Sequence, residues 1–461
     1  MSEQAPFIPV SPEAQPLPAS RSVFRVPGFL RLWGAQVVSS LGDWIGLIAI
    51  LALAAEVSGS GTGVGLVMTA RMLPGFVLAP VGGALVDRFN RKTVMVTCDV
   101  GRAALLALLP FFDTLLGLVV LSFLVEILTL LWGPAKDASL PNVVRDPDQL
   151  TAANSLSLVA AYATFPLGSV IFAGLAAVAA WLGDFEALDA FGFDDRQSLA
   201  IWFDSLTFLG SALLISGLAL AEERRSSRER PEVTQTFRDI VEGLRYIRAH
   251  ALVRGVMIGL AGGLVGGGAI VPLGPVFADD VLGGGSGSFG LLMTAFGMGA
   301  AFGVVTLLTL QRRKRFPREQ VFIVAVIATG VGIVTVASTS ALGPALVIVA
   351  CIGATAGSGY VTGFTLLQES VTDELRGRTF ATLYTVVRLC LLLALTVGPF
   401  AAGALGALSE GTVDGSVEVA GVDVSLPGVR LALWLGGVVT IVSGVMARRR
   451  MRRAHEQESV R

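Results

Sequence analysis

Charge is what this chain has least of. Asp, Glu, Lys and Arg make up only 15% of its 461 residues, and 34 bases against 35 acids leave a formal net charge of -1. That balance gives no basis for holding nucleic acid or an acidic partner. Histidine is scarcer still. Neither His250 nor His455 has a carboxylate or cysteine at ligand spacing, which removes the usual zinc sites and histidine acid–base chemistry. Cys98, Cys351 and Cys390 fall within apolar runs at no metal or redox spacing, so neither a disulfide framework nor a metal site is expected. A glycine-rich phosphate loop is also missing, so ATP is not expected to drive the chain from within. Together these absences predict no cofactor and disfavour a membrane enzyme.

Apolar residues, by contrast, supply 53% of the chain and raise its mean hydropathy to +0.72, a composition soluble domains do not have. A helix needs about 20 mostly apolar residues to cross a bilayer. Such runs lie near 31–57, 63–86, 93–112, 114–137, 153–182, 199–221, 251–278, 288–309, 319–339, 341–368, 379–407 and 429–447. The pattern predicts an all-α membrane protein of about twelve transmembrane helices in two six-helix bundles, at 27–221 and 251–447. Residues 1–26, with Pro6, Pro9, Pro12, Pro16 and Pro18, read as a flexible cytoplasmic tail and not as a cleaved signal.

The few charges are placed with a bias. Arg88, Arg91 and Lys92, Arg224 to Arg230, Arg312 to Arg315 and Arg448 to Arg450 fall on one side of an even-numbered topology. The opposite loops hold Asp184, Glu186, Asp189, Asp194 and Asp195, then Asp279 and Asp280, then Glu410, Asp414, Glu418 and Asp423. By the positive-inside rule both termini face the cytoplasm, which places the chain as a multi-pass protein of the plasma (inner) membrane. Between the bundles, residues 222–250 form one long connection. Phe237, Ile240, Val241, Leu244 and Ile247 recur there at helical spacing while Arg238, Arg245 and Arg248 face elsewhere, predicting an amphipathic helix on the inner membrane surface. It reads as a tether, with regulation as the alternative. Residues 448–461 form a basic cytoplasmic tail that anchors orientation or meets anionic lipid.

The halves echo each other. The fifth run contains "FPLGSVIFAG" and the eleventh "GPFAAG", which puts Pro166 at a depth matching Gly398 and Pro399 and marks both as hinge or helix-bend positions. "GLAGGLVGGGAIVPLGP" in the seventh run suits either close helix packing or a bend. Six charges sit deep within runs, Asp43, Arg71, Arg102, Glu126, Asp204 and Arg388. Each costs ~2.5–3.5 kcal/mol at mid-membrane, so they must pair, face water or lose charge.

Gly83, Asp87, Arg88, Arg91 and Lys92, within "GGALVDRFNRKTVMV" between the second and third runs, resemble the loop signature of the major facilitator superfamily. "FLRLWGAQVVSSLGDWIG", "GPAKDASLPNVV" and "EGLRYIRAHALVRG" further resemble the branch that holds macrolide-efflux and siderophore-export proteins. The resemblance implies two pseudo-symmetric bundles around a central cavity lined by spans one, four, seven and ten. It implies that Asp87 latches the halves together near Arg378 and Thr379 at the start of span eleven, where a carboxylate suits a helix N-terminus. Asp43 and Glu126 would share the cavity. Glu126 reads either as a proton carrier or as a structural partner of Arg102 or Arg71, and structural pairing is the reading for Arg71, Arg102, Asp204 and Arg388. Two departures from the family stand out: Asn90 replaces the loop's glycine, where its tolerance of left-handed backbone would keep the loop's shape, and span four carries no arginine.

The expected activity is secondary transport, as a monomer, of a small amphipathic compound outward across the bilayer by alternating access, with proton coupling as its drive. Siderophore-like or lipid-like substrates, and import, are the alternatives on the same scaffold. The topology is tested with single cysteines placed by Asp189→Cys and Ser226→Cys in a background without Cys98, Cys351 and Cys390. An impermeant thiol reagent should label the first in intact cells and spare the second; equal labelling would contradict the charge-based orientation.

Overall fold

The computed structural model describes residues 23–78, 89–162, 164–182, 196–218, 245, 247–312, 317–370, 385–387, 389–413, 416–419 and 422–458. Among them, 11 helices are long and apolar enough to cross a membrane. The shorter helix Gly61–Val77 sits where the second span was expected. The all-α membrane architecture thus holds. The first span, Phe29–Ser58, ends because Gly59 takes a left-handed φ of +58° and its N–H turns back to the Ala55 carbonyl at 2.8 Å. Ser60 then caps Gly61–Val77 by accepting from the Gly63 N–H. The third span, Arg91–Leu108, starts on Asn90, whose carboxamide oxygen accepts from the Thr93 N–H at 3.1 Å. The expectation of a left-handed Asn90 is therefore corrected. At φ -62° it is an ordinary N-cap, a role its side chain fills and glycine's could not.

Several helices outrun the apolar stretches that announced them. The fourth span, Leu115–Val143, carries "GPAKDASLPNV" inside the helix and not after it. The fifth begins already at Pro147, as Pro147–Tyr162 followed by Thr164–Leu182, and the sixth is Arg196–Ser216. In the second half the eighth span is Gly285–Arg312, the ninth Arg318–Ala337 and the tenth Leu342–Ser370. The twelfth, Gly428–Glu458, continues through the bases placed in a separate tail. Leaving lipid removes the need for apolar side chains but not the backbone's preference for its own hydrogen bonds, so a helix need not stop at the membrane edge. At the other terminus, residues expected in the flexible tail are docked. Val23 is buried, and the Phe24 ring meets Phe29 and Trp33 edge to face at 5.9 and 5.6 Å. One feature was unforeseen, an antiparallel hairpin of β1 (Ser416–Val419) and β2 (Val422–Ser425) before the twelfth span.

Two spans are broken. The seventh runs as Ala251–Gly267 and Ile270–Asp280, with Gly268 and Ala269 at the break. Its glycines serve both expected purposes, since Gly262 and Gly266 also let the helix approach Ser443 and the Gly436 carbonyl of the twelfth span. The eleventh span widens into a π turn at Leu393–Val397 just before Pro399. Proline offers no N–H to the carbonyl one turn back, and the wider turn absorbs that loss. The two breaks touch, with Gly268 against Ala394 and Gly398 against Ala269.

Apolar burial is arranged asymmetrically. At the end away from the termini one core joins both halves, with Ile48 to Ala54, Val67 and Phe172 meeting Leu273, Phe289, Leu292 and Ala402. At the end that carries the termini each half keeps a core of its own, one around Phe29, Met95 and Trp132, the other around Val253, Phe322 and Ala447. Among the described residues, then, the halves share a core at the first end and keep separate cores at the second. In lipid, contact between helices brings little hydrophobic gain, so pairing relies on close fit. The eighth and tenth spans show this through interlocked glycines, Gly299 and Gly303 against the backbone of Ala350 and Ala354, Gly353 and Gly357 against Phe296 and Ala300. Gly353→Val would drive a side chain into the Phe296 carbonyl, an overpacking of about 1–3 kcal/mol. Its thermal midpoint in detergent should fall clearly below wild type, whereas Gly343→Ala, which meets nothing within 4 Å, should leave it unchanged. Equal midpoints would show that this helix pair does not depend on backbone approach.

Candidate functional site

Polar chemistry at mid-depth gathers in the first half. Asp99 and Arg102 lie one turn apart on the third span, both fully buried, and form a direct ion pair. Asp99 also accepts from Trp132 Nε1 at 3.1 Å and from Ser211 Oγ at 2.8 Å, which draws the fourth and sixth spans onto it. The Arg102 guanidinium lies 3.9 Å from the Phe208 ring centroid and 5.4 Å from that of Trp132. Its remaining reach is weaker. Ser39 Oγ and Thr129 Oγ1 are each 3.5 Å away, and Asp43 Oδ1 is 3.9 Å away. An arginine suits this place because its flat cation can stack on rings while its fork holds a carboxylate.

Asp99 was not among the residues singled out from the sequence, and it changes how the others are read. Arg102 is committed to Asp99, so it does not pair directly with Glu126. Among the described residues neither Glu126 nor Arg71 forms a hydrogen bond or ion pair, although the charges acting on Glu126 are Arg71 first, then Asp43 and Arg102. Asp43 is about a third exposed. Asp204 is buried where Gly42 and Gly46 open a notch on the first span, and Thr207 Oγ1 lies 3.2 Å from its Oδ1. The structure therefore brings Asp43, Arg71, Arg102, Glu126 and Asp204 into one electrostatic neighbourhood. Arg388 lies outside the described residues.

The other expected residues divide. Gly83, Asp87 and Arg88 lie outside the described residues, as does most of the amphipathic linker. Arg91 donates to the Ala138 carbonyl at 2.7 Å, tying the start of the third span to the fourth. Pro166 and Pro399 occupy corresponding seams between the halves. Pro166 packs on Gly297 of the eighth span, and Pro399 packs on Gly61 and Gly65 of the second. Each proline thus rests on glycine of the opposite half.

A family model described as Major Facilitator Superfamily matches residues 32–395. The multidrug efflux pump Tap of Mycolicibacterium fortuitum is 25% identical over 425 residues, covering 88% of this chain and 93% of that protein. An uncharacterized MFS-type transporter, YfiS of Bacillus subtilis, is 35% identical over 133 residues, 29% of this chain and only 32% of YfiS. Among solved structures, a bacterial homolog of the human lysosomal transporter Spinster, inward-facing and unoccupied, superposes with a TM-score of 0.70 at 15% identity, covering 93% of this chain and 98% of the other.

The commitment of Arg102 to Asp99 has a measurable consequence. Asp99→Asn leaves a buried guanidinium without its partner and should cost about 3–5 kcal/mol, while Asp43→Asn, at longer range and part-exposed, should cost far less. Adding Arg102→Met to Asp99→Asn should recover part of the loss. Heat-dependent loss of the monodisperse peak in size-exclusion chromatography checks this, and an Asp99→Asn protein as stable as wild type would contradict it.

Proposed function

Because this chain belongs to the major facilitator superfamily, a family of transporters and not of enzymes, we propose that it is a secondary active exporter of small amphipathic compounds. The observation that carries the reading is a charge imbalance. At mid-depth the described residues place four acids, Asp43, Asp99, Glu126 and Asp204, near two bases, Arg71 and Arg102. An uncompensated charge at that depth costs ~2.5–3.5 kcal/mol. Among the described residues two acids are thus in excess, which suits protons or a positively charged guest. Glu126, part-exposed and, among the described residues, without a hydrogen bond or ion pair, is the acid that takes up and releases a proton in this reading, with the like charge of Asp43 acting on it. The facing spans seven and ten carry charges only near their described ends, such as Arg254, Asp280 and Glu369, so titration belongs to one half.

Likeness to Tap over most of the chain supports the outward direction. The separate cores at the end that carries the termini, an end the positive-inside rule assigns to the cytoplasm, suit an inward-facing orientation, one that an exporter and an importer both visit. In the opposite state that end closes, and Asp87 meets the start of the eleventh span as the latch. Seams of proline on glycine, between spans five and eight and between two and eleven, suit the rocking of one half against the other, because smooth surfaces slide without unlocking side chains.

Inward movement of protons then drives export, each elementary charge adding ~2.3 kcal/mol per 100 mV. Glu126→Gln mimics the protonated acid. In inverted vesicles it should lose energised accumulation of substrate and keep downhill exchange of substrate for substrate within about twofold, since neutralising the acid leaves the path and the rocking of the halves in place. A Glu126→Gln protein that still builds a gradient collapsed by an uncoupler would remove Glu126 from the coupling step. Accumulation by right-side-out vesicles alone would reverse the direction to import.

A further inference from the structure

Three rings cross the seam between the halves at the depth where the shared core begins. Trp44 of the first span donates its Nε1 proton to the Ala161 carbonyl at 3.0 Å, which clamps the indole against the fifth span. Phe165 meets that indole edge to face at 4.9 Å and 71°. Phe296, from the eighth span in the other half, meets Phe165 at 6.1 Å and 80°. The close approach of Gly353 to the Phe296 carbonyl holds that residue's backbone in place.

None of the three rings is fully buried. Phe165 and Phe296 pack on the margin of the shared core without entering it. The first span shows where the margin lies. Val37, Ser40, Asp43, Trp44 and Leu47 form a partly exposed stripe along it, and from Ile48 to Ala54 every residue is buried. On the first span the partly exposed stripe therefore gives way to the shared core just past Trp44, with Asp43 one residue away on the same stripe. A guest reaching this margin would meet aromatic faces and an anion together. Aromatic rings in offset or edge-on pairs also exchange partners at little loss, because a guest ring restores the contact it displaces.

We infer that Trp44, Phe165 and Phe296 form the substrate wall and that the preferred guest is an aromatic organic cation, whose ring replaces the Phe165–Phe296 contact while Asp43 faces its charge. Insertion at that contact loosens the seam between the halves, so binding and reorientation are linked at one place. The inference rests on the export reading and narrows it to a substrate class.

Binding to purified full-length protein in lipid nanodiscs separates the two. Tetraphenylphosphonium and tetraethylammonium carry the same charge, and the first alone has rings. Wild type should bind the first at least tenfold more tightly. Phe165→Leu and Phe296→Leu should each weaken tetraphenylphosphonium about fivefold to tenfold without altering tetraethylammonium, and Phe296→Tyr should bind as wild type. Unaltered tetraethylammonium binding shows that the variants are folded. Equal affinity of wild type for both cations, or leucine variants that bind as wild type, would overturn the inference and leave export of other amphiphiles standing. Conversely, ring-dependent binding by a protein whose inverted vesicles accumulate no compound would uphold the wall and remove the export reading.

Discussion

A charge carried into hydrocarbon has to be compensated inside the protein that carries it, and this constraint shapes the two halves differently. The first half meets it with Asp99, whose carboxylate gathers Arg102, Trp132 and Ser211 from three spans onto one point. Because Arg102 is engaged there, Glu126 and Asp204 are left with Arg71 as their main counter-charge, while Asp43 keeps Arg102 at 3.9 Å. The second half avoids the problem over most of its described depth and is held by fit. Gly299, Gly303, Gly353 and Gly357 bring two helices into backbone contact with no polar side chain involved. One half thus concentrates its described mid-depth charges, and the other keeps a closely fitted surface opposite them.

The broken helices belong to the same division. The seventh span yields at Gly268 and the eleventh at the π turn before Pro399, and the two irregularities pack on each other and near the second span through Gly65. Placed singly, each would be a weak point. Placed together they give the second half one bending level, next to the seam where the halves meet. The arrangement agrees with alternating access, since a bundle that bends at one level can alter its contacts at one end while its helix pairs stay matched elsewhere.

The spans were legible in the sequence because lipid demands long apolar runs and nothing else in a protein does. Helix ends were not. Val143, Pro147 and Glu458 lie in polar sequence that hydropathy assigned to loops or tails, and the helices persist there, the fourth span even through Pro134 and Pro141. Asp99 was passed over because it lies only a turn and a half into its apolar run, where an acid reads as interfacial. The signal that could have found it is its spacing, an acid three residues before an arginine on one helical face. Likewise the hairpin at 416–425 was announced by valines alternating with polar residues on either side of Ala420 and Gly421, a period that a search for helices does not weigh. The proline seams were legible by position, but their glycine partners come from spans distant in sequence and needed the fold.

The single apolar core that joins the halves at one end also gives the transport cycle a thermal character. To expose its cleft at that end the protein must bring Ile48 to Ala54, Leu273 and Phe289 toward water, and hydration of such surface carries a large heat capacity. Cohesion of this kind weakens on cooling. The balance between the two orientations is therefore set partly by the solvent and shifts with temperature even where no contact changes.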